Sequence, residues 1–361
     1  MRSRSLFVVS HSLPDQVEAS IELIGKQYAE ATGPWILGFS GGKDSSAVLR
    51  LTYSTLMRAK RRETRVTVVY CDTGVDIPVI ATLVRRTLRR VAKEAKEAGL
   101  PLQVRVARPR VEDSFFVKVI GRGYPPPTNK FRWCTDRLRI DPVQRVIANV
   151  SSDEAFVLLG VRHGESPERD RTLEGLKTER PFMLLQRGKS RTRVFAPILN
   201  YTTKDVWETL GLLRFPGALD ADKLKTLYRE AGGECPIVRD PHGTPCGKGR
   251  FGCWTCTVVR QDKAMAGLIE NGHDNLKPLL EFRDWLQEMR DQPRYRCRVR
   301  RNGSPGPGPL TLEARHLILR RLRAAENKAK AKLIAENEVR LIHQLWKIDR
   351  ESDSYRRIEV D

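Results

Sequence analysis

The chain contains no apolar run near the roughly 20 residues that a bilayer-spanning helix requires. Its opening stretch, MRSRSLFVVSHSLPDQ, joins basic residues to an apolar patch too short for the core of a secretory signal, and no small-residue cleavage site follows. A membrane is therefore not among the expected partners, and the expected location is cytoplasmic. Carboxylates are scarce beside bases: 44 Asp and Glu stand against 65 Lys and Arg, for a formal net charge of +21. A small-molecule substrate alone does not require such an excess, so a polyanionic partner is expected. The bases cluster in Arg58–Arg62, in Arg85, Arg86, Arg89 and Arg90, and in Arg296–Arg301. The 7 cysteines are odd in number, which excludes a fully paired disulfide framework.

Periodicity organises the chain from residue 12 to Leu159 of its 361 residues. Val17, Ile21, Ile24 and Tyr28 recur at helical spacing, predicting an amphipathic helix over 12–31 that Ser12 can cap. Trp35–Phe39, Val66–Tyr70, Leu102–Val106 and Phe156–Leu159 read as strands, and helices are expected over Ser45–Met57 and Ile80–Ala98. Strands alternating with helices imply crossovers and a parallel sheet. Ligands of such sheets sit beyond the carboxyl ends of the strands, where residues 40–45, 71–74 and 160–166 fall. Two stretches break the alternation. Gly121–Thr128 is rich in Gly and Pro, and Asn302–Pro309 has the composition of a flexible linker. Beyond it, Leu310–Arg350 is basic and helical in pattern, with Leu317, Leu322, Ile334, Leu341, Leu345 and Ile348 as core candidates.

The most informative segment is FSGGKDSS at 39–46. It is not a Walker loop, because Lys43 is followed by Asp44 rather than Ser or Thr. Gly41 and Gly42 let the backbone approach a phosphate closely, and successive N–H groups at a helix start bind anions. Lys43 adds a positive charge, Ser40 and Ser45 can bond phosphate oxygens, and Asp44 can orient the loop or help to place Mg²⁺. The alternative is an ordinary strand-to-helix turn.

Residues 40–45, SGGKDS, resemble the PP-loop of the ATP pyrophosphatase superfamily. That resemblance implies an α/β, adenine-nucleotide alpha-hydrolase-like parallel sheet with helices on both faces, and cleavage of ATP between its α and β phosphates. VYCDTGVD at 69–76, LGVRHGESPER at 159–169 and APILNYTTKDVW at 196–207 resemble elements of the phosphoadenosine phosphosulfate (PAPS) reductase branch, with Tyr201 in place of a Trp. The implied nucleotide-binding residues are Ser40, Gly41, Gly42, Lys43, Asp44, Ser45, Asp72, Gly160 and Arg162. Lys43, Asp44 and Arg162 are the implied catalytic groups, with Arg169 assisting.

Cys235, Cys246, Cys253 and Cys256 follow the spacing C-x10-C-x6-C-x2-C. Four thiolates can hold zinc or a [4Fe–4S] cluster. Zinc ribbons usually show two C-x2-C knuckles and this chain has one, so iron–sulfur is the expected occupant, with zinc or unliganded thiols as alternatives. Together with the lone cysteine of RWCTDRLRIDP, the pattern resembles DNA phosphorothioation sulfurtransferases of the DndC type. What that resemblance implies is a Cys-rich iron–sulfur subdomain, a [4Fe–4S] cluster on those four residues, ATP and Mg²⁺ as cofactors, and DNA as partner. A cysteine desulfurase as sulfur donor and other DNA phosphorothioation proteins are implied as well. Cys134 stands apart from the four in sequence and is a candidate sulfur carrier or a buried thiol. Cys71 and Cys297 read as structural.

The expected organisation is a PP-loop domain at 1–225, a Cys-rich region at 226–301, and a linker with a basic C-terminal helical extension at 302–361. Three other functions share parts of this pattern. A PAPS or adenylylsulfate reductase shares the nucleotide motifs, but Trp133-Cys134 replaces the Cys-Cys pair of the latter and the end RRIEVD has no catalytic cysteine. A tRNA thiolase shares ATP activation and positive charge. A non-catalytic DNA-binding protein would need only the basic surface and a Cys₄ metal site.

Overall fold

The computed structural model describes residues 13–60, 63–150, 156–165, 167–176, 178, 182–184, 193–232 and 251–351. Ser12, expected to cap the first helix, lies outside them. The elements run α1 (Leu13–Ala29), β1 (Trp35–Phe39), α2 (Lys43–Arg58), β2 (Val66–Cys71), α3 (Pro78–Glu97), β3 (Leu102–Ala107), the single turn α4 (Trp133–Thr135), α5 (Asp141–Val150) and β4 (Phe156–Leu158). They continue with α6 (Pro167–Glu174), β5 (Met183–Leu184), β6 (Arg193–Phe195), α7 (Thr203–Leu212) and α8 (Ala221–Glu230). The last four are α9 (Lys263–Glu270), α10 (Lys277–Arg290), α11 (Leu312–Ala329) and α12 (Glu336–Glu351).

The sheet has the order β3-β2-β1-β4-β6-β5. β1 pairs in parallel with β2 on one side and β4 on the other, β4 is parallel to β6, and β5 closes that edge antiparallel. Val66 N donates to Pro101 O and Asp72 N to Ala107 O, so β2 and β3 also advance together. The order reverses direction at β1, which makes the carboxyl ends of β1 and β4 the crevice of the sheet. β1 is buried along its length, as both faces of a helix-covered parallel strand must be, and its sequence WILGF shows no alternation.

By packing, the chain divides into two compact units that interleave in sequence. One comprises 1–70, 84–105 and 147–224, the other 71–83, 106–146 and 225–361. In the first, Trp35 stacks on Phe156 at 4.7 Å and meets the edge of Tyr28 at 5.3 Å. The Tyr28 hydroxyl donates to Thr64 O at 2.6 Å and so fastens α1 over the sheet. α2 is buried on nearly every side and contains a buried arginine. The Arg50 guanidinium donates to the carbonyls of Leu210, Leu213 and Leu219, satisfying the carboxyl end of α7. Burial pulls its pKa down, against the opposing carboxylates of Asp220 and Asp222.

The second unit is organised on a buried π-turn at Val117–Gly121. A π-turn leaves carbonyls misaligned with the helical ladder, and buried carbonyls must find donors elsewhere. Trp346 Nε1 donates to Ile120 O at 2.8 Å. Arg315 donates to Gly121 O at 2.6 Å and pairs with Asp349 at 2.7 Å. A Cβ on Gly121 would lie 2.9 Å from Leu345 Cδ1, so α12 packs closely over this glycine. A third buried arginine, Arg283, donates to Cys256 O at 2.8 Å and to the carbonyls of Val259 and Arg260.

Two expectations change. The Asn302–Pro309 segment is a packed hairpin rather than a free linker. Gly308 N donates to Cys297 O and Gly306 N to Arg298 O, and a Cβ on Gly308 would collide with the Val299 carbonyl. Gly306 and Gly308 serve close packing and Gly303 a left-handed turn at φ 82, which composition cannot distinguish from flexibility. The single helical pattern from Leu310 is two helices, because Lys330 turns left-handed at φ 49. Leu322, Ile334 and Leu345 are buried as expected, but the buried stripe of α12 is Ile342, Leu345 and Trp346, and Ile348 falls off it at 59% exposure. Among the described residues, no helix is long and apolar enough to cross a membrane.

Replacing Arg50 by Ala leaves three carbonyls without their donor in a buried setting. The expected cost is about 3 kcal/mol, read as a lowered urea midpoint, whereas Arg58→Ala on the exposed end of the same helix should shift it by under about 1 kcal/mol.

Candidate functional site

Residues 40–42 join β1 to α2 at the crevice, and Gly42 is the N-cap of α2. Gly41 has φ 79, a conformation that glycine alone adopts freely, and a Cβ there would overlap Val84. The Ser40 and Ser45 hydroxyls lie 3.1 Å apart, and Ser45 Oγ also donates to Gly42 O at 3.1 Å. The loop is thus held in shape by its own hydroxyls. The first N–H groups of a four-turn helix face the same space and carry the positive end of its dipole.

The second loop of the crevice follows β4. A Cβ on Gly160 would fall 2.7 Å from the Asp44 carbonyl carbon and 2.8 Å from Ser45 N, so the two backbones touch with no room for a side chain. This contact brings Arg162 to Asp44. Arg162 Nε donates to Asp44 Oδ1 at 2.8 Å, and Lys43 Nζ reaches Asp44 Oδ2 at 3.1 Å. Arg162 is 4% exposed and Lys43 6%. Arg162 Nη2 donates further to Thr203 Oγ1 at 2.8 Å, at the start of α7, whose own N-cap Thr202 and Asp205 form a reciprocal capping box. One carboxylate therefore fixes two cations beside a helix N-terminus, an arrangement suited to a multiply charged anion. The geometry supports an orienting role for Asp44, since each of its oxygens holds one cation. Arg169 has a side chain outside the described residues.

Asp72, Cys134, Cys253 and Cys256 belong to the second unit. Asp72 is buried at the end of β2, accepts from Gly74 N at 3.2 Å and pairs with Arg108 at 3.1 Å. Cys253 bridges Asp76 in a short antiparallel pairing, while Trp254 N donates to Val75 O at 2.9 Å. Its sulfur lies 3.6 Å from Thr73 Oγ1 and accepts from Arg139 Nη2 at 3.6 Å. The Cys253 sulfur holds the Arg139 pKa above its ordinary value. Burial pushes the Cys71 thiol up to about 12, and its Sγ donates to Leu138 O at 3.1 Å. Burial also raises the Cys134 thiol, and the Cys253 and Cys256 sulfurs raise it further. Cys134, remote in sequence from the cysteine cluster, therefore shares an electrostatic neighbourhood with two of its members.

Cys235 and Cys246 lie outside the described residues. Cys253 and Cys256 occupy one turn, Cys256 N donating to Cys253 O at 3.0 Å. Among the described residues, no three of Cys, His, Asp and Glu converge on a metal position. The described thiols make half of the four-thiolate set and do not by themselves fit a cluster.

Residues 34–258 match the phosphoadenosine phosphosulfate reductase domain. The chain belongs to that family. This PAPS reductase-domain protein is 29% identical over 150 residues to an uncharacterized protein of Methanocaldococcus jannaschii, a match that covers 42% of the chain and 27% of the relative. The chain thus spans about a quarter of that relative's length. Among solved structures it resembles the PAPS reductase of Candida auris in its phosphate complex, with 14% identity, 57% of this chain and 88% of that one covered, and a TM-score of 0.35. NAD⁺ synthetase of Burkholderia pseudomallei gives 15% identity, coverage of 90% and 92%, and a TM-score of 0.36. FMN adenylyltransferase of Candida glabrata gives 12% identity, coverage of 88% and 84%, and a TM-score of 0.38.

Sequence reasoning missed Thr203, Arg139, Thr73 and Asp76 as companions of the site residues. Thr203 and Arg139 lie inside stretches that drew attention for their motifs, yet neither the Arg162–Thr203 nor the Arg139–Cys253 contact has a sequence signal, because each joins segments far apart in the chain.

Because the Gly160 contact is backbone against backbone, Gly160→Ala should destabilise the protein by about 1–3 kcal/mol. Gly25→Ala is the contrasting case: it lies in α1, its Cβ would sit at an ordinary 3.7 Å from Thr55 Cγ2, and it should stabilise by about 0.5–1 kcal/mol. Urea melts of the two variants check the pair.

Proposed function

We propose that this protein is an ATP pyrophosphatase and sulfurtransferase that adenylates a phosphate of the DNA backbone so that sulfur replaces a non-bridging oxygen. The observation that carries the reading is the Lys43–Asp44–Arg162 array set against the N-terminus of α2. Membership of the PAPS reductase domain family supports nucleotide chemistry at that array. For DNA, the support is the charge of +21 and the exposed face of α3, where Arg85, Arg86, Arg89 and Arg90 project at helical spacing.

On this reading the N–H groups of α2, together with Ser40 and Ser45, take the β and γ phosphates of ATP, and Mg²⁺ accompanies the nucleotide. A DNA phosphate oxygen attacks the α phosphorus, forming a new P–O bond and expelling pyrophosphate with the bonding pair. Lys43 and Arg162 offset the charge that gathers as the anions meet. A sulfide-level nucleophile then attacks the activated DNA phosphorus, forming P–S and releasing AMP. If the sulfur arrives as a persulfide, a thiol reductant supplies the two electrons that cleave its S–S bond. A cysteine desulfurase is the proposed source of the sulfur, other DNA phosphorothioation proteins are the proposed partners, and the work takes place in the cytoplasm. Cys134 is the candidate sulfur carrier, and a [4Fe–4S] cluster on Cys235, Cys246, Cys253 and Cys256 is part of the proposal without an assigned step.

The family match itself favours a second reading, reduction of a phosphosulfate nucleotide to sulfite. The purified protein with a thiol reductant and PAPS distinguishes it by sulfite release without DNA. For the first reading, Lys43→Ala should lower pyrophosphate release from ATP by about 100-fold or more, and release at the wild-type rate would overturn the role given to the loop. Mass spectrometry of nuclease-digested DNA should find sulfur-containing dinucleotides only in cells that carry this gene with an intact Lys43.

A further inference from the structure

α11 and α12 enclose a groove of about 890 Å³ in the second unit. His316, Arg320 and Arg323 line it from α11, and His343, Lys347 and Arg350 from α12. The link at 330–335 is short, and the two helices run antiparallel: Arg323 meets Glu336 at 3.1 Å near the turn, and Arg350 meets His316 at 3.4 Å at the open end. From Glu313 to Arg323 the wall advances about 15 Å at the helical rise. That length covers roughly four steps of a duplex strand at about 3.4 Å each.

The groove is cationic on both walls. Arg320 is exposed and has no carboxylate partner among the described residues. Among the described residues, Lys347 pairs with Glu351 at 4.0 Å, with 78% of its side chain in solvent, and such a pair contributes little. Arg323 is held in place by Glu326 at 2.6 Å. The one carboxylate of the lining is Glu313. The floor is Trp346, which is buried and already bonded to Ile120 O, with the His316 ring 3.9 Å from its own. Burial and the neighbouring Arg350 lower the His316 pKa.

These features select among polyanions. A single strand binds by stacking its bases on open aromatic faces, whereas Trp346 is buried and the His316 and His343 rings lie against it at 3.9 and 5.3 Å. A protein partner binds through a desolvated apolar or aromatic centre, and the groove's heads are solvated cations over partly buried leucines. We propose that the α11–α12 groove seats the phosphate backbone of duplex DNA. The inference rests on DNA being the substrate and adds a surface of the second unit that holds the duplex.

The test is fluorescence polarisation of the full chain with a labelled 20-base-pair duplex over a range of salt. Arg320→Glu combined with Lys347→Glu should weaken binding at least about tenfold near 0.1 M salt and lower the slope of log affinity against log salt by about 2. The Arg320→Gln, Lys347→Gln pair should show the same loss of slope and serves if the charge reversals fail to fold. Wild-type affinity and slope in the variants, with duplex bound by the native chain, would overturn the groove while leaving the DNA reading intact. No duplex binding by the native chain would sink the DNA reading itself. Variants that keep duplex binding but lose polyglutamate would make this an acidic-peptide site and overturn the proposal.

Discussion

The site depends on one close approach, the backbone at Gly160 lying directly against the backbone at Asp44 and Ser45. No side chain fits between them. The contact follows from the strand order, since β1 and β4 are neighbours and their carboxyl ends open side by side. It delivers Arg162 to the one carboxylate that already holds Lys43. Two buried cations next to a helix N-terminus would repel each other, and Asp44 between them keeps both in place. The same arginine reaches Thr203, so the start of α7 is tied to the loop through a single guanidinium.

The positive charge of the chain divides into two populations with different work. Arg50, Arg283 and Arg315 are buried, and each donates to backbone carbonyls at a helix end, a loop or a π-turn, Arg283 and Arg315 also to a carboxylate. A guanidinium suits this because its planar fork can satisfy several carbonyls at once. These arginines contribute to the net charge but present nothing to a partner. The exposed bases of α3, and those of the α11–α12 groove, are among those that a polyanion can meet. The formal charge therefore overstates the binding surface, and placement in the fold decides which arginines belong to it.

In the second unit the cysteines have surroundings that composition does not reveal. Cys253 sits between Thr73 and Arg139, and Cys134 comes under the influence of Cys253 and Cys256 despite more than a hundred intervening residues. Cys297 is buried, as free cysteines often are.

The local part of this architecture was legible in the sequence. WILGF and VTVVY declared themselves as strands by apolar runs, LQVRV by alternation, and SGGKDS by glycines placed between a strand and a helix. Those signals are local because hydrogen-bond geometry and side-chain period act over a few residues. The pairing of Arg162 with Asp44, the capping of α7 by Arg50 and the left-handed turn at Lys330 were not legible. Each depends on segments distant in the chain, or on a backbone angle that a lysine rarely adopts. Asn302–Pro309 shows the limit most plainly: glycine and proline specify both a loose tether and a tight turn. Only the carbonyls of Cys297 and Val299 packed against it decide which of the two this chain contains.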